Sequence, residues 1–254
     1  STDPVTKAAY DQFNNRVDVS NYMANTVEKA PANYATSTKF ATTGTTGLVV
    51  TNSASTVTAA KTSVDTMKPV PGQTFTLTTG IDNILGTAGN DTVTGTLGTL
   101  NDGDRVTDNS TTDSDIFNGE LMGNLTSTFH VKNIETVNLD ILAGTSSIDA
   151  TNWTGIKTIS NKGAGSLTLT NVGSLDTAIK LDGTASNANI GFLASVVSGS
   201  SDLATVKLAK TTNGTLTMDA GVETLKLVTT AGEANTLNNL VTGTGSKTVQ
   251  ITGG

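Results

Sequence analysis

Two short segments about a third of the way along the chain have the spacing of a calcium-binding repeat. Residues 86–94 (GTAGNDTVT) match the nonapeptide G-G-x-G-x-D-x-U-x, where U is a large apolar residue, except at Thr87. The preceding nine residues, 77–85, keep one Gly, the Asp and the apolar residue in the same register. Glycine permits a tight turn whose carbonyl groups face an ion, and Asp adds a carboxylate. The two repeats predict at most one shared calcium site, with Asp82 and Asp91 as its carboxylates.

The acidic residues concentrate just after this motif. Between residues 82 and 120 there are eight acids and one base, Arg105, so this segment carries a charge of −7, the net charge of the whole chain. A block of like charge repels itself unless a counter-ion neutralises it. The segment should therefore attract cations, and it argues against nucleic acid as a partner.

Pairs of acids within this segment have D-x-D spacing. Asp102 and Asp104 form one pair, and Asp113 and Asp115 form another. In an extended chain, residues two apart face the same side, so each pair could bind one cation or coordinate it together with other ligands. The alternative is ordinary turn chemistry, because Asp favours turns without any metal. We therefore predict Ca²⁺ as the bound ion, with these carboxylates as candidate ligands: Asp82, Asp91, Asp102, Asp104, Asp113 and Asp115.

Other chemistry is scarce. The chain has no Cys and a single histidine, His130, which excludes thiol–histidine catalysis and the common zinc sites. No glycine-rich loop carries the lysine of a phosphate-binding motif. Trp153 fits a packed interior residue better than a sugar-stacking platform, which would need more aromatic side chains. We expect the protein not to be an enzyme.

The last half of the chain is repetitive. An apolar residue, any residue, Thr and then apolar–any–apolar recur at intervals that average about 22 residues, which is a typical solenoid repeat length. The clearest copies are IETVNL (134–139), LATVKL (203–208) and VETLKL (222–227). Together with 50 Thr and only 4% aromatic residues, this predicts a mainly β protein, a parallel β-helix of about 22 residues per coil. The alternative is an antiparallel β-sandwich with Thr-rich strands.

Alignment of the motif copies on their Thr predicts which residues stack. The Thr residues should form one ladder across the coils. The apolar residues that follow them should form one interior column. That column contains Val137, Ile159, Val206, Leu225 and Val249.

The first 70 residues have a different pattern. Tyr10, Phe13 and Val17 fall on one face of a predicted helix that ends at Pro31, and a second helix is predicted over 53–67. The chain therefore divides into three predicted regions. These are a helical N-terminal segment (1–70), an acidic calcium-binding junction (71–120) and the β-solenoid (121–254). The sequence contains no run of about 18 apolar residues, so no membrane span is predicted.

The stretch GQTFTLTTGIDNILGTAGNDTVTG (72–95) resembles a junction found in one protein family. It is similar to that of bacterial surface-layer (S-layer) and related type I-secreted, haemolysin-type (RTX-like) calcium-binding proteins, where a helical part precedes a Thr-rich β-solenoid. The helical segments and the acidic stretch followed by IETVNL are also similar to that family. The resemblance covers most of the chain and is most specific over 72–95.

This resemblance implies a structural protein of a Gram-negative cell surface. Such a protein assembles with copies of itself into a calcium-dependent lattice outside the cell, and its N-terminal part often contacts lipopolysaccharide. A β-solenoid adhesin or biofilm-matrix protein is the alternative. A β-helix enzyme acting on polysaccharides is more remote, because charges beyond residue 121 are sparse and show no cluster of Asp, Arg or Lys.

Overall fold

The chain forms two compact units, residues 1–70 and 71–254, which are described separately. The computed structural model describes residues 3–27, 40–41, 48–65, 70–183, 186–211 and 214–253. Both helices lie in the first unit, and neither combines the length and hydrophobicity that a membrane-spanning helix needs within the described residues.

The described residues of the first unit contain two helices and a small parallel sheet. Helix α1 spans Pro4–Val27 and α2 spans Ala54–Asp65, while β1 (Phe40–Ala41) pairs with β2 (Leu48–Val49). Both predicted helices are therefore present, although Pro31 and Met67 lie outside the described residues. A small core joins the helices and the segment around β2. Its buried residues are Val19, Met23, Leu48, Val50, Ala60 and Val64.

The first part of the predicted apolar stripe of α1, Tyr10, Phe13 and Val17, is exposed, whereas Met23, which continues the stripe, is buried. Tyr10 and Phe13 are each 65% exposed. The polar side chains of Gln12 and Asn15 instead donate hydrogen bonds to the backbone carbonyls of Val50 and Thr51, directly after β2, at 3.3 and 2.8 Å. Periodicity located the helix correctly, but it did not identify the side that contacts the rest of this unit.

The second unit is a parallel β-solenoid of about eight turns with about 22 residues per turn. This confirms the predicted β-helix. Every strand pairing in the described part of this unit is parallel, which rules out the antiparallel sandwich. One nine-stranded sheet runs along its length. In chain order its strands are β3 (Thr74–Thr76), β5 (Thr92–Gly95), β7 (Ile116–Leu121), β9 (Thr136–Ile141), β12 (Thr158–Asn161), β14 (Ala178–Asp182), β16 (Leu203–Ala209), β18 (Thr224–Thr229) and β20 (Thr248–Thr252).

The remaining strands of this unit form two shorter sheets. The fourth coil supplies the last strand of the first sheet and the first strand of the second. The first of these sheets contains β4 (Asn83–Leu85), β6 (Arg105–Thr107), β8 (His130–Lys132) and β11 (Trp153–Thr154). The second contains β10 (Thr145–Asp149), β13 (Ser166–Val172), β15 (Ala188–Phe192), β17 (Thr215–Met218) and β19 (Asn239–Val241).

Alternation of inward and outward side chains along most strands explains this architecture. On β9, for example, Val137, Leu139 and Ile141 are fully buried while the residues between them are partly exposed. Successive side chains of a strand point to opposite faces, so every coil offers one apolar row that only its neighbours can bury. The interior also holds an aromatic run. Phe129 packs between Phe117 and Trp153, with ring centroids 5.6 and 5.8 Å apart, and Trp153 is the packed interior residue that the sequence predicted.

The stacking register differs from the predicted one in the later coils. Val137, Ile159 and Ile179 stack as successive partners, and Val206 follows them. In the next coil, however, Val206 pairs with Leu227, whereas Leu225 and Val249 belong to a neighbouring column. The Thr ladder is likewise broken, because Thr205 pairs with Lys226. The shift is by two residues, which preserves the inward set and so costs no burial.

Truncation of one interior residue should destabilise the solenoid strongly. Ile159 is 1% exposed and lies inside the column, so Ile159→Ala should lower the unfolding free energy by about 2–5 kcal/mol. The neighbouring change Thr158→Ala, at a partly exposed position, should cost much less. Urea unfolding followed by circular dichroism measures both. Equal losses for the two variants would contradict the observed inward and outward assignment.

Candidate metal centre

The two nine-residue repeats in the sequence, 77–85 and 86–94, fold into the same kind of turn. Asp82 accepts a hydrogen bond of 2.7 Å from the backbone N–H of Thr78, and Asp91 accepts one of 2.5 Å from that of Thr87. Both Thr hydroxyl groups donate to the same carboxylates, at 3.1 and 3.0 Å. The two copies therefore fold alike, even though only the second is a near match to the full motif.

The two turns lie on different faces of the solenoid. Asp82 immediately precedes β4 and Asp91 immediately precedes β5, and these strands belong to different sheets. Nine residues thus make half of the first coil, and the stacking partner of a residue lies one full coil away. The carboxylate of Asp91 meets acids from later coils rather than the carboxylate of Asp82.

A column of residues forms where the chain enters the nine-stranded sheet. The backbone N–H of Gln73 donates to Asp91 Oδ1 at 2.6 Å. The N–H of Asp91 donates to Asp115 Oδ1 at 2.7 Å, and the N–H of Asp115 donates to Glu135 Oε2 at 2.9 Å. Each carboxylate therefore satisfies a backbone donor of the preceding coil, and the arrangement stacks three acids in consecutive coils.

Two further acids complete what we call the acidic cluster. Asp108 follows β6, and Asp113 lies between β6 and β7. The cluster consists of Asp91, Asp108, Asp113, Asp115 and Glu135. It contains two groups of three residues in which one carboxylate oxygen from each residue lies within 4.8 Å of the other two. We call Asp91, Asp108 and Asp115 the first position, and Asp113, Asp115 and Glu135 the second position.

Several oxygens of the acidic cluster are buried and have no hydrogen-bond partner. Asp108 and Asp115 are each 1% exposed, yet Asp108 Oδ1 and Asp115 Oδ2 receive no donor. Both carboxylate oxygens of Asp113 are also buried without a partner. Burying charge without compensation is costly, so native proteins pair such groups or use them to coordinate metals. These oxygens have the chemistry of metal ligands.

A glycine leaves space beside the first position. A Cβ atom added to Gly86 would lie 2.6 Å from Asp91 Oδ2 and 2.7 Å from Asp108 Oδ1. Any side chain at this residue would push into both carboxylates. Gly86 is the first glycine of the near-complete nonapeptide, and its lack of a side chain keeps the space between these two oxygens free.

The acidic cluster is electrostatically strained without a counter-ion. Burial raises the pKa of Asp115 to about 6, and the negative charges of Asp113, Asp108 and Asp91 add to this, against a hydrogen bond from the Asp91 backbone that lowers it. Two unit charges 4.8 Å apart repel by about 3 kcal/mol at an effective dielectric constant of 20. One lysine reaches the cluster: Lys157 Nζ lies 3.9 Å from Glu135 Oε1.

The other predicted ligands lie elsewhere. Asp104 accepts hydrogen bonds from the backbone N–H groups of Asp82 and Asn101, at 2.8 and 2.7 Å. Asp102 accepts hydrogen bonds from Thr126 and Thr128; burial raises its pKa, but these bonds bring it below the ordinary value. Within the described residues, no group of three metal-ligating side chains includes Asp82, Asp102 or Asp104. The structure thus brings together Asp91, Asp113 and Asp115 of the six predicted ligands.

Sequence reasoning missed two members of the acidic cluster. Asp108 was counted only in the acidic segment, and Glu135 lies beyond it, inside the copy IETVNL of the solenoid motif. The signal for Glu135 was its place directly before a strand, one coil after Asp115. Asp115 itself precedes β7 in the same way.

Comparison of the chain with protein-family models, with curated proteins and with solved structures finds no match.

Titration of Asp115 should make the metal-free protein less stable as pH rises. Its pKa is raised from 3.8 to about 6 in the folded state, so the folded protein binds this proton more tightly than the unfolded chain. The contribution of Asp115 to the unfolding free energy is largest below about pH 4 and is lost as pH rises through 6. In chelator, the difference in urea midpoint between pH 5 and pH 7 should be smaller for Asp115→Asn than for the unsubstituted protein. Identical pH profiles would contradict the assignment.

Proposed function

We propose that this protein is a structural β-solenoid of a bacterial cell surface whose first coils are stabilised by calcium. The observation that carries the proposal is the acidic cluster. Buried carboxylate oxygens of Asp108, Asp113 and Asp115 lack donors at the stacking interface of consecutive coils. A cation there would replace repulsion between coils with shared ligation, so ion binding would add directly to the free energy of folding.

The chemistry of the donors favours calcium over other metals. All five side chains of the acidic cluster are carboxylates, which are hard oxygen donors that suit Ca²⁺, Mg²⁺ or Mn²⁺ rather than Zn²⁺ or copper. Calcium accepts six to eight oxygens at flexible distances, while magnesium demands a near-ideal octahedron. Ligands supplied by separate stacked coils, two of them in loops after β6, fit the less demanding ion.

The proposed place in the cell rests on the family resemblance. A helical segment, the nonapeptide junction and a Thr-rich solenoid occur in that order in S-layer and type I-secreted calcium-binding proteins. The β-solenoid and the acidic cluster, most of whose members lie within the junction, are compatible with this origin. On this proposal copies of the protein assemble into an extracellular lattice, and the N-terminal 70 residues contact lipopolysaccharide.

Removal of calcium should weaken the solenoid. At a calcium concentration 100 times the Kd, each ion would add about 2.7 kcal/mol to the unfolding free energy. Thermal unfolding should therefore occur at a clearly lower temperature in EDTA than in millimolar calcium, and magnesium should restore less of the loss. Asp115→Asn should have a smaller calcium response. A melting temperature that is the same in EDTA and in calcium would contradict the proposal that calcium stabilises the solenoid.

Lattice formation is a separate prediction. Electron microscopy of the cells that make this protein should show a periodic surface array in calcium, and the array should dissolve in chelator. A lattice must cover the whole cell, so the protein should also be abundant in the surface fraction. Scattered molecules without periodicity would contradict the lattice and would favour an adhesin or a matrix protein instead.

A further inference from the structure

We propose that the acidic cluster binds two cations side by side, bridged by the carboxylate of Asp115. This inference rests on the calcium binding proposed above and specifies its stoichiometry and ligands. Asp115 is the one residue shared by the first position (Asp91, Asp108 and Asp115) and the second position (Asp113, Asp115 and Glu135). A carboxylate has two oxygens, so it can contribute to two adjacent ions.

Each position has its own oxygens without donors. At the first position Asp108 Oδ1 is unpartnered, while the other oxygen of Asp108 accepts a hydrogen bond from the backbone N–H of Ser110 at 2.5 Å. At the second position both oxygens of Asp113 are unpartnered. Between them lies Asp115, whose Oδ1 is occupied by the N–H of Asp91 and whose Oδ2 is unpartnered. A single ion at either position would leave buried oxygens at the other uncompensated.

Charge balance also favours two ions. The five carboxylates carry −5 when ionised, and Lys157 lies at the edge of the second position, 3.9 Å from Glu135. One divalent ion and this lysine would leave −2 in a largely buried cluster. Two divalent ions and the lysine would bring the charge to zero, which is the condition under which buried charges are tolerated.

The two positions can be disabled separately. Gly86 lies beside the first position, where an alanine Cβ would stand 2.6 and 2.7 Å from Asp91 Oδ2 and Asp108 Oδ1. Gly86→Ala should therefore block the first position and leave the second intact. Asp113→Asn removes a ligand charge from the second position only. Gly123→Ala is the matched control, because nothing lies within 4 Å of a Cβ added there.

The test counts calcium ions. The full chain is stripped with chelator and dialysed to equilibrium at the lowest free calcium that saturates the unsubstituted protein, and bound calcium is measured by elemental analysis. Gly86→Ala and Asp113→Asn should each bind one ion fewer than the unsubstituted protein. The double variant and Asp115→Asn should each bind two fewer, and Gly123→Ala should bind the same number.

The possible failures can be told apart. If the double variant loses only one ion, the acidic cluster holds a single cation and the two-ion proposal is overturned. If no variant loses any ion, calcium does not bind at the cluster and the proposed function fails as well. Circular dichroism checks folding, and Asp108→Asn replaces Gly86→Ala if that variant does not fold. Loss of one ion in each single variant and two in the double variant is the result that the proposal requires.

Discussion

The structure depends on the fact that no coil of this solenoid can bury its own inward side chains. A coil of about 22 residues presents one row of apolar residues, and only the coils on either side can cover it. Parallel pairing therefore has to be held in register at every step. The acids stacked where the chain enters the nine-stranded sheet, which we call the strand-entry column, contribute to this. The carboxylates of Asp91, Asp115 and Glu135 each accept a hydrogen bond from a backbone N–H of the preceding coil. The same bonds stack like charges, and the acidic cluster results.

Much of the fold could be predicted because several coils contain a recognisable copy of the same short motif. The alternation in IETVNL and VETLKL specifies which residues face inward, and the average interval specifies a coil. The register between coils could not be predicted as well. Sliding β18 by two residues against β16 leaves the same side chains buried, so the pattern fits both pairings. Likewise, the stripe of Tyr10 and Phe13 located α1 but not its packed face, which polar contacts of Gln12 and Asn15 occupy instead.

The acidic cluster was predictable to the extent that its residues are close in the sequence. Asp113 and Asp115 were paired by their spacing, and Asp91 by its nonapeptide. Glu135 joins them only because stacking brings together residues about 20 apart in the sequence. The solenoid motif allows any residue at its position, so the motif does not mark it as a ligand. Asp102 and Asp104 show the converse case. Their spacing suggested a shared ion, but each is satisfied by hydrogen bonds from a different neighbouring segment.

The lysine at the end of the strand-entry column has a consequence for how the solenoid responds to its surroundings. Lys157 occupies the next coil after Glu135 and supplies a positive charge that is part of the chain. Further along, the backbone N–H of Asp202 donates to Glu223 Oε2 in the same stacked arrangement, but the Nζ of Lys247, in the next coil, donates to the carbonyl of Ser200. At Glu135, by contrast, the counter-charge is covalently attached to the chain. On the proposed calcium binding, the ionic composition of the surroundings acts mainly on the first coils of the solenoid, which supply the acidic cluster.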